Sequence, residues 1–88
     1  ENIYPREIED VLLSHPKVFE VAVVGMEDAV RGEVPKAVVV PLEGQRLDAR
    51  ELREFCRGRL AEFKVPRIYE IVAALPKTPT GKIMKKAL

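Results

Sequence analysis

Eighty-eight residues make one domain, and at this size folding buries about 60 to 68% of the surface an unfolded chain exposes, enough for a modest core but not for a deep pocket. A hydrophobic content of 47% beside 33% charged residues argues against a disordered chain, and no apolar run approaches the length of a transmembrane helix. Fifteen Lys+Arg against fourteen Asp+Glu leave a net charge of +1, so the whole-domain field gives no reason to expect a nucleic-acid partner.

The first helix is expected from Pro5 to Ser14: proline suits its opening position, Glu7 and Glu9 its positive end, and Ile8, Val11 and Leu12 form one apolar stripe. His15, just before Pro16, reads as a helix-terminal or surface histidine. Val18 to Gly25 and Val34 to Val40 are β-branched runs, expected as strands covered on both faces; the polar stretch Met26 to Glu33, with Gly32, reads as the turn between them. Asp48 with Glu51 resembles a capping box opening a second helix, with Leu52, Phe55, Cys56 and Leu60 on its buried face. Cys56 is the single cysteine, which excludes an internal disulfide, and its place on that stripe makes it a core residue. Ala61 to Pro66 reads as a loop, Arg67 to Ala73 as a third strand, and Ile83 to Leu88 as the start of a final helix. The order αββαβ, then a loop and a short helix, defines a small α+β domain with a central sheet of about three strands and helices packed on it.

The stretch from Leu75 to Ile83 places Lys82 directly after Gly81, behind two prolines and two threonines. Such a segment continues neither strand nor helix; it presents a cation at a loop tip where a ligand can approach the backbone. Lys77, Lys85 and Lys86 make the C-terminus locally basic. Read alone, this is either a solvated basic turn or a site for a phosphate or carboxylate. A self-contained active site is not found: there is no Ser/His/Asp set, no metal-ligand spacing and no P-loop, since Ile83 rather than Ser or Thr follows Lys82. One lysine on a stiff loop, without a pocket, is the arrangement of a lid for a site built elsewhere.

Four segments carry a family resemblance: Glu1-Asn2-Ile3-Tyr4-Pro5-Arg6-Glu7-Ile8-Glu9, Gly32-Glu33-Val34-Pro35-Lys36-Ala37, Phe63-Lys64-Val65-Pro66-Arg67 and Pro76-Lys77-Thr78-Pro79-Thr80-Gly81-Lys82-Ile83. In order and spacing they resemble the C-terminal domain of the adenylate-forming enzymes, which include acyl- and aryl-CoA ligases, luciferases and peptide-synthetase adenylation domains. The Asn-Ile-Tyr-Pro opening is more similar to fatty or aryl acyl-CoA ligases. The resemblance implies that a carboxylic acid and MgATP form an acyl-adenylate and pyrophosphate, and that the acyl group then passes to coenzyme A with release of AMP. It makes Lys82 the adenylation lysine, supported by Thr80 and Gly81, and leaves Lys77 outside the chemistry. It also implies that the domain swings between the two steps, with Glu1, Asn2, Ile3 and Tyr4 lining the pantetheine channel and Phe63 and Arg67 meeting the adenine and phosphates of CoA. Asn2 to Pro5 serving only to cap the first helix, and Phe63 simply packing beneath its loop, are the alternatives. Val38 stands where an aromatic is common in the family, a matter of packing.

Residues 1–88 are thus expected to be one cytoplasmic lid domain, inactive alone, whose partner is a larger N-terminal domain holding the acid, ATP and magnesium. No metal site of its own is expected. Two other readings stay open: a free-standing α+β interaction module that docks an acidic partner through its basic tail, or an adenylation domain that serves a carrier-protein thiol instead of CoA. The identity of the acid is not written in this segment.

Overall fold

The computed structural model describes residues 3–88, so Glu1 and Asn2 lie outside the described residues. Helix α1 (Pro5–Leu13) leads into the antiparallel pair β1 (Val18–Asp28) and β2 (Gly32–Pro41). Helix α2 (Ala49–Cys56), a 3-10 turn at Glu62–Lys64, strand β3 (Ile68–Ile71) and a last 3-10 turn at Lys85–Ala87 follow. The sheet order is β1-β2-β3 with β3 parallel to β2. This is the α+β domain with a three-stranded sheet that the sequence patterns imply, its final short helix reduced to one 3-10 turn.

Both faces of the sheet are covered, by different material. On one face Val21, Val23, Ala37, Val39 and Tyr69 pack with Ile8 and Leu12 of α1 and Leu52 and Cys56 of α2. Full burial of each large aliphatic side chain there contributes roughly 1.5–3 kcal/mol. On the other face Ala22, Val38 and Val40 pack with Leu75, flanked by Val72, Ile83 and Leu88. No helix of eight residues is needed on that face, because the C-terminal segment itself covers it. A register shift between Val18 and Glu20 explains how Val18 and Val21, an odd number of residues apart, share the helical face.

The hairpin corrects one expectation. Met26 to Glu33 is not a long turn: Met26, Glu27 and Asp28 pair with Val34, Glu33 and Gly32, leaving only three residues between the strands. The Asp28 carboxylate accepts the backbone N–H groups of Val30 and Arg31 at 2.9 and 2.8 Å, and Gly32 takes φ +86°. Polar residues serve these strand ends because most positions there are exposed or half-buried. A second correction concerns α2. Asp48 caps it as expected, accepting Glu51 N–H at 2.8 Å, but the helix stops at Cys56, Gly58 turns the chain at φ +84°, and Leu60 reaches the core from beyond the helix. Strand β3 is also shorter than Arg67 to Ala73.

His15 stands at the helix end but is not a surface residue; it is only 6% exposed. Its Nδ1 accepts Lys17 N–H at 3.0 Å, Nε2 lies 3.4 Å from a Glu51 oxygen, and Phe55 meets its ring edge-on. Phe55 is therefore spent on His15 and the guanidinium of Arg59 and is only half-buried.

Candidate active-site surfaces

Lys82 sits on a small hydrogen-bonded hairpin. Thr78 N–H donates to Lys82 C=O at 2.7 Å, Gly81 N–H to Thr78 C=O at 2.9 Å, and Met84 N–H to Pro76 C=O at 2.8 Å. Thr78 Oγ1 accepts Lys82 N–H at 3.1 Å and lies 3.0 Å from Thr80 Oγ1. Gly81 takes φ +90°, a conformation that costs an L-residue about 1–2 kcal/mol. Gly81 thus makes the turn and Thr80 touches only Thr78, whereas Thr78, bonded to Lys82 through both its backbone and its hydroxyl, organises it. Its signal in the sequence is a hydroxyl four residues before the lysine, across a proline and a glycine.

The surroundings separate the lysines. Lys17, Lys36, Lys64, Lys77 and Lys85 each reach a glutamate within 3.4 Å. Among the described residues, the ammonium groups of Lys82 and Lys86 alone have no acidic partner, and both residues are exposed. Lys77, within the same hairpin, has its charge countered by Glu20 at 2.7 Å. A cation held by its backbone yet free at its tip is suited to meet an anion presented by another body.

A second surface forms where the hairpin tip meets the segment after α2. Phe63 and Arg67 line an open groove with Arg31, Glu33 and Pro35. Phe63 is 68% exposed and does not pack beneath its loop; its ring meets Tyr4 edge-on at 6.0 Å. Lys64 Nζ lies 4.3 Å from the centre of the Tyr4 ring and 2.8 Å from Glu7. Arg67 is anchored by its backbone, donating N–H to Pro35 C=O at 3.3 Å and accepting from Arg53 at 3.2 Å, which leaves its side chain exposed. The Glu33 side chain lies where a Cβ on Gly25 would stand, so that glycine makes room for it. Tyr4, Phe63 and Arg67 are therefore brought to one end of the molecule. Tyr4 holds a left-handed backbone at φ 54°, uncommon for a residue with a side chain, and Ile3 is 5% exposed and faces the core rather than this surface. Arg31 and Glu33 join the groove through long-range packing that carries no local signal in the sequence. Glu1 and Asn2, expected nearby, lie outside the described residues.

The two surfaces are rooted on opposite faces of the sheet. Leu75 and Ile83, on either side of the Lys82 turn, belong to the face opposite the helices, whereas Val65, between Phe63 and Arg67, belongs to the helical face. No group of three or more His, Cys, Asp or Glu among the described residues is arranged to hold a metal ion, and no described helix is long and apolar enough to cross a membrane.

Comparison with known proteins gives this arrangement a family. The AMP-binding enzyme C-terminal domain family matches residues 7–82. The chain belongs to that family. It is 48% identical over 87 residues to a long-chain-fatty-acid–CoA ligase of Bacillus subtilis, covering 99% of this chain and 16% of that protein. It is 51% identical over 85 residues to a feruloyl-CoA synthase of Amycolatopsis, covering 97% and 17%. The fold superposes on O-succinylbenzoate coenzyme A synthetase from Bacillus subtilis, solved in complex with ATP and magnesium ion, with a TM-score of 0.86 and 42% identity, covering all of this chain and 18% of that one. The AMP-binding C-terminal domain thus spans about one sixth of the ligases it matches.

Proposed function

We propose that residues 1–88 are the mobile C-terminal lid of an ATP-dependent acyl-CoA ligase, and that Lys82 serves its first half-reaction. The observation that carries this reading is the free, exposed ammonium of Lys82 on a hairpin fixed by four hydrogen bonds, beside a Lys77 that is already paired. In the first step Lys82 approaches the acid's carboxylate and the α-phosphate of ATP, and its charge offsets the repulsion between two anions as they join. Within a closed site such a cation acts at low dielectric and is worth far more than in water. The residues here fit phosphate and carboxylate recognition but not magnesium, which would neutralise the phosphates from sites in the larger N-terminal domain together with the acid.

In the second step the domain turns and offers the other surface to coenzyme A. Phe63 supplies an aromatic face for the adenine and Arg67 a guanidinium for the phosphates, with Tyr4 beside the pantetheine path. Rooting the two surfaces on opposite sheet faces supports alternation, since a rigid domain can then serve two steps only by rotating. The near-equal identity to a fatty-acid and a ferulate enzyme supports an acyl or aryl acid substrate without separating the two. A cytoplasmic location accords with the one unpaired, buried Cys56.

The test is acid-dependent exchange of labelled pyrophosphate into ATP by the full-length protein, with a panel of fatty and aryl acids. Exchange with one acid class that collapses in Lys82→Ala, while preformed acyl-adenylate still becomes thioester, is the expected result. Unchanged exchange in the variant returns Lys82 to a solvated turn. Competition by free CoA against a carrier-protein thiol, in the second step, identifies the acceptor.

A further inference from the structure

The loop bearing Lys82 is short, and what fixes its two legs to the domain decides where the ammonium stands. The N-terminal leg is tied by Lys77 to Glu20 of β1 at 2.7 Å. The C-terminal leg is tied by Lys85, three residues past Lys82, to Glu9 of α1 at 2.8 Å. Glu9 is unlike the other acidic partners. Its side chain is only 17% exposed, and the oxygen that meets Lys85 also accepts the backbone N–H of Val23 at 2.9 Å. Strand β1 is an edge of the sheet and Val23 is fully buried, so this N–H has no strand partner and Glu9 satisfies it. One carboxylate oxygen therefore joins helix, sheet edge and catalytic loop at a point held by a charge-assisted hydrogen bond.

We propose that Glu9 is a positioning residue for Lys82, fixing the C-terminal leg of the loop through Lys85 while Glu20 and Lys77 fix the other. The inference rests on the reading of Lys82 as the adenylation lysine. Ile83 holds the same leg by packing, but it is only half-buried, and a hydrophobic contact sets depth better than lateral position. The legs are bonded to each other, Met84 N–H donating to Pro76 C=O at 2.8 Å, so releasing Lys85 lets the hairpin pivot about the Lys77–Glu20 tie, and a displaced ammonium loses transition-state contacts although its charge is intact.

Two variants of the full-length protein separate this role from plain stability. Glu9→Gln keeps an oxygen for Val23 N–H and removes the charge that holds Lys85; Lys85→Met leaves Glu9 and its hydrogen bond in place. Each is expected to lower the maximal rate of pyrophosphate exchange about threefold to tenfold, the double variant no further than either single one, and Lys85→Arg hardly at all. Thioester formation from preformed acyl-adenylate stays at the unmodified rate, a split that general destabilisation does not produce. Equal losses in both half-reactions, or full exchange in both variants while Lys82→Ala abolishes it, overturn the positioning role and leave the role of Lys82 standing. Full exchange in Lys82→Ala overturns both.

Discussion

The loop of Lys82 and the groove of Phe63 and Arg67 are both tied to helix α1 by a glutamate–lysine pair, yet they are built for different tasks. Glu9 holds Lys85 behind the loop and Glu7 holds Lys64 beside the groove, two residues apart on one helix. In the loop the pairing consumes the flanking lysines, Lys77 and Lys85, and leaves one cation free at the tip. Beside the groove it holds Lys64 against the Tyr4 ring, and the Phe63 ring and the Arg31 and Arg67 side chains are left exposed. One surface delivers a point charge and the other offers area with several donors. Under the proposed function that difference suits closing an acid onto ATP in one step and cradling a nucleotide in the next, and it predicts that damage to one surface spares the other step.

The largest break in the comparison is Lys82→Ala, expected to reduce pyrophosphate exchange by about 10²- to 10³-fold, as loss of a single oxyanion-stabilising group does elsewhere. Thioester formation from the isolated adenylate should not change; a parallel fall would mean that the two surfaces are not separate. The reciprocal break is Arg67→Ala, expected to raise KM for CoA by about 10- to 100-fold through loss of charge-assisted hydrogen bonds, with exchange unaffected. Gly81→Ala sharpens the first result. A Cβ at this position meets no other atom, so its cost is backbone strain alone, about 1–2 kcal/mol. Exchange should fall about tenfold with little change in thermal stability, because the turn relaxes by moving the lysine rather than by unfolding the domain.

How these surfaces read from sequence follows from how local their signals are. The Lys82 loop is legible because its parts are consecutive: prolines, a glycine that needs positive φ and a threonine within bonding reach all lie between Pro76 and Lys82. The capping aspartate of α2 and the strand cores were legible for the same reason. The groove is not local. Arg31 and Glu33 join Phe63 and Arg67 only after β2 and β3 pair in parallel, and the pairing of Lys64 with Glu7 spans 57 positions. The length of the hairpin is hidden in the sequence because Glu27, Asp28 and Glu33 are polar, and polarity marks exposure rather than irregular backbone. The burial of His15 is not written locally either, because its Glu51 partner comes from another helix.

A smaller effect concerns the shared core beneath both surfaces. The Tyr69 hydroxyl is buried without a hydrogen-bond partner; the Cys56 thiol lies beside it but lacks the geometry of a bond. Burial, followed by the neighbouring Cys56, pushes the phenol well above its ordinary value of 10.0, and burial likewise raises Cys56. Since the folded value exceeds the unfolded one, the associated stability is intact below pH 10 and is lost as alkali ionises Tyr69 in the unfolded chain. Tyr69→Phe removes an unsatisfied polar atom and is expected to be neutral or to stabilise by up to about 1 kcal/mol, with both half-reactions unchanged. A clear loss of stability in denaturant melts would show that the hydroxyl has a partner in solution.

The smallest expected effect lies at the hairpin tip that walls the groove. Backbone N–H groups of Arg31 and then Val30 hold the Asp28 carboxylate below its ordinary value of 3.8. A lowered folded value means that the stabilisation is present in full above the unfolded value and fades as pH falls through the folded one. Asp28→Asn keeps an acceptor oxygen and removes the charge, so its melting temperature should lie slightly below that of the unmodified domain at pH 7, with the gap closing as pH falls below the ordinary value of 3.8. Because the tip carries Arg31 and Glu33 but is remote in sequence and face from Leu75 and Ile83, the same change should raise KM for CoA slightly and leave pyrophosphate exchange alone. A response in exchange instead would place the hairpin tip, and not only the C-terminal loop, against the larger domain during the first step.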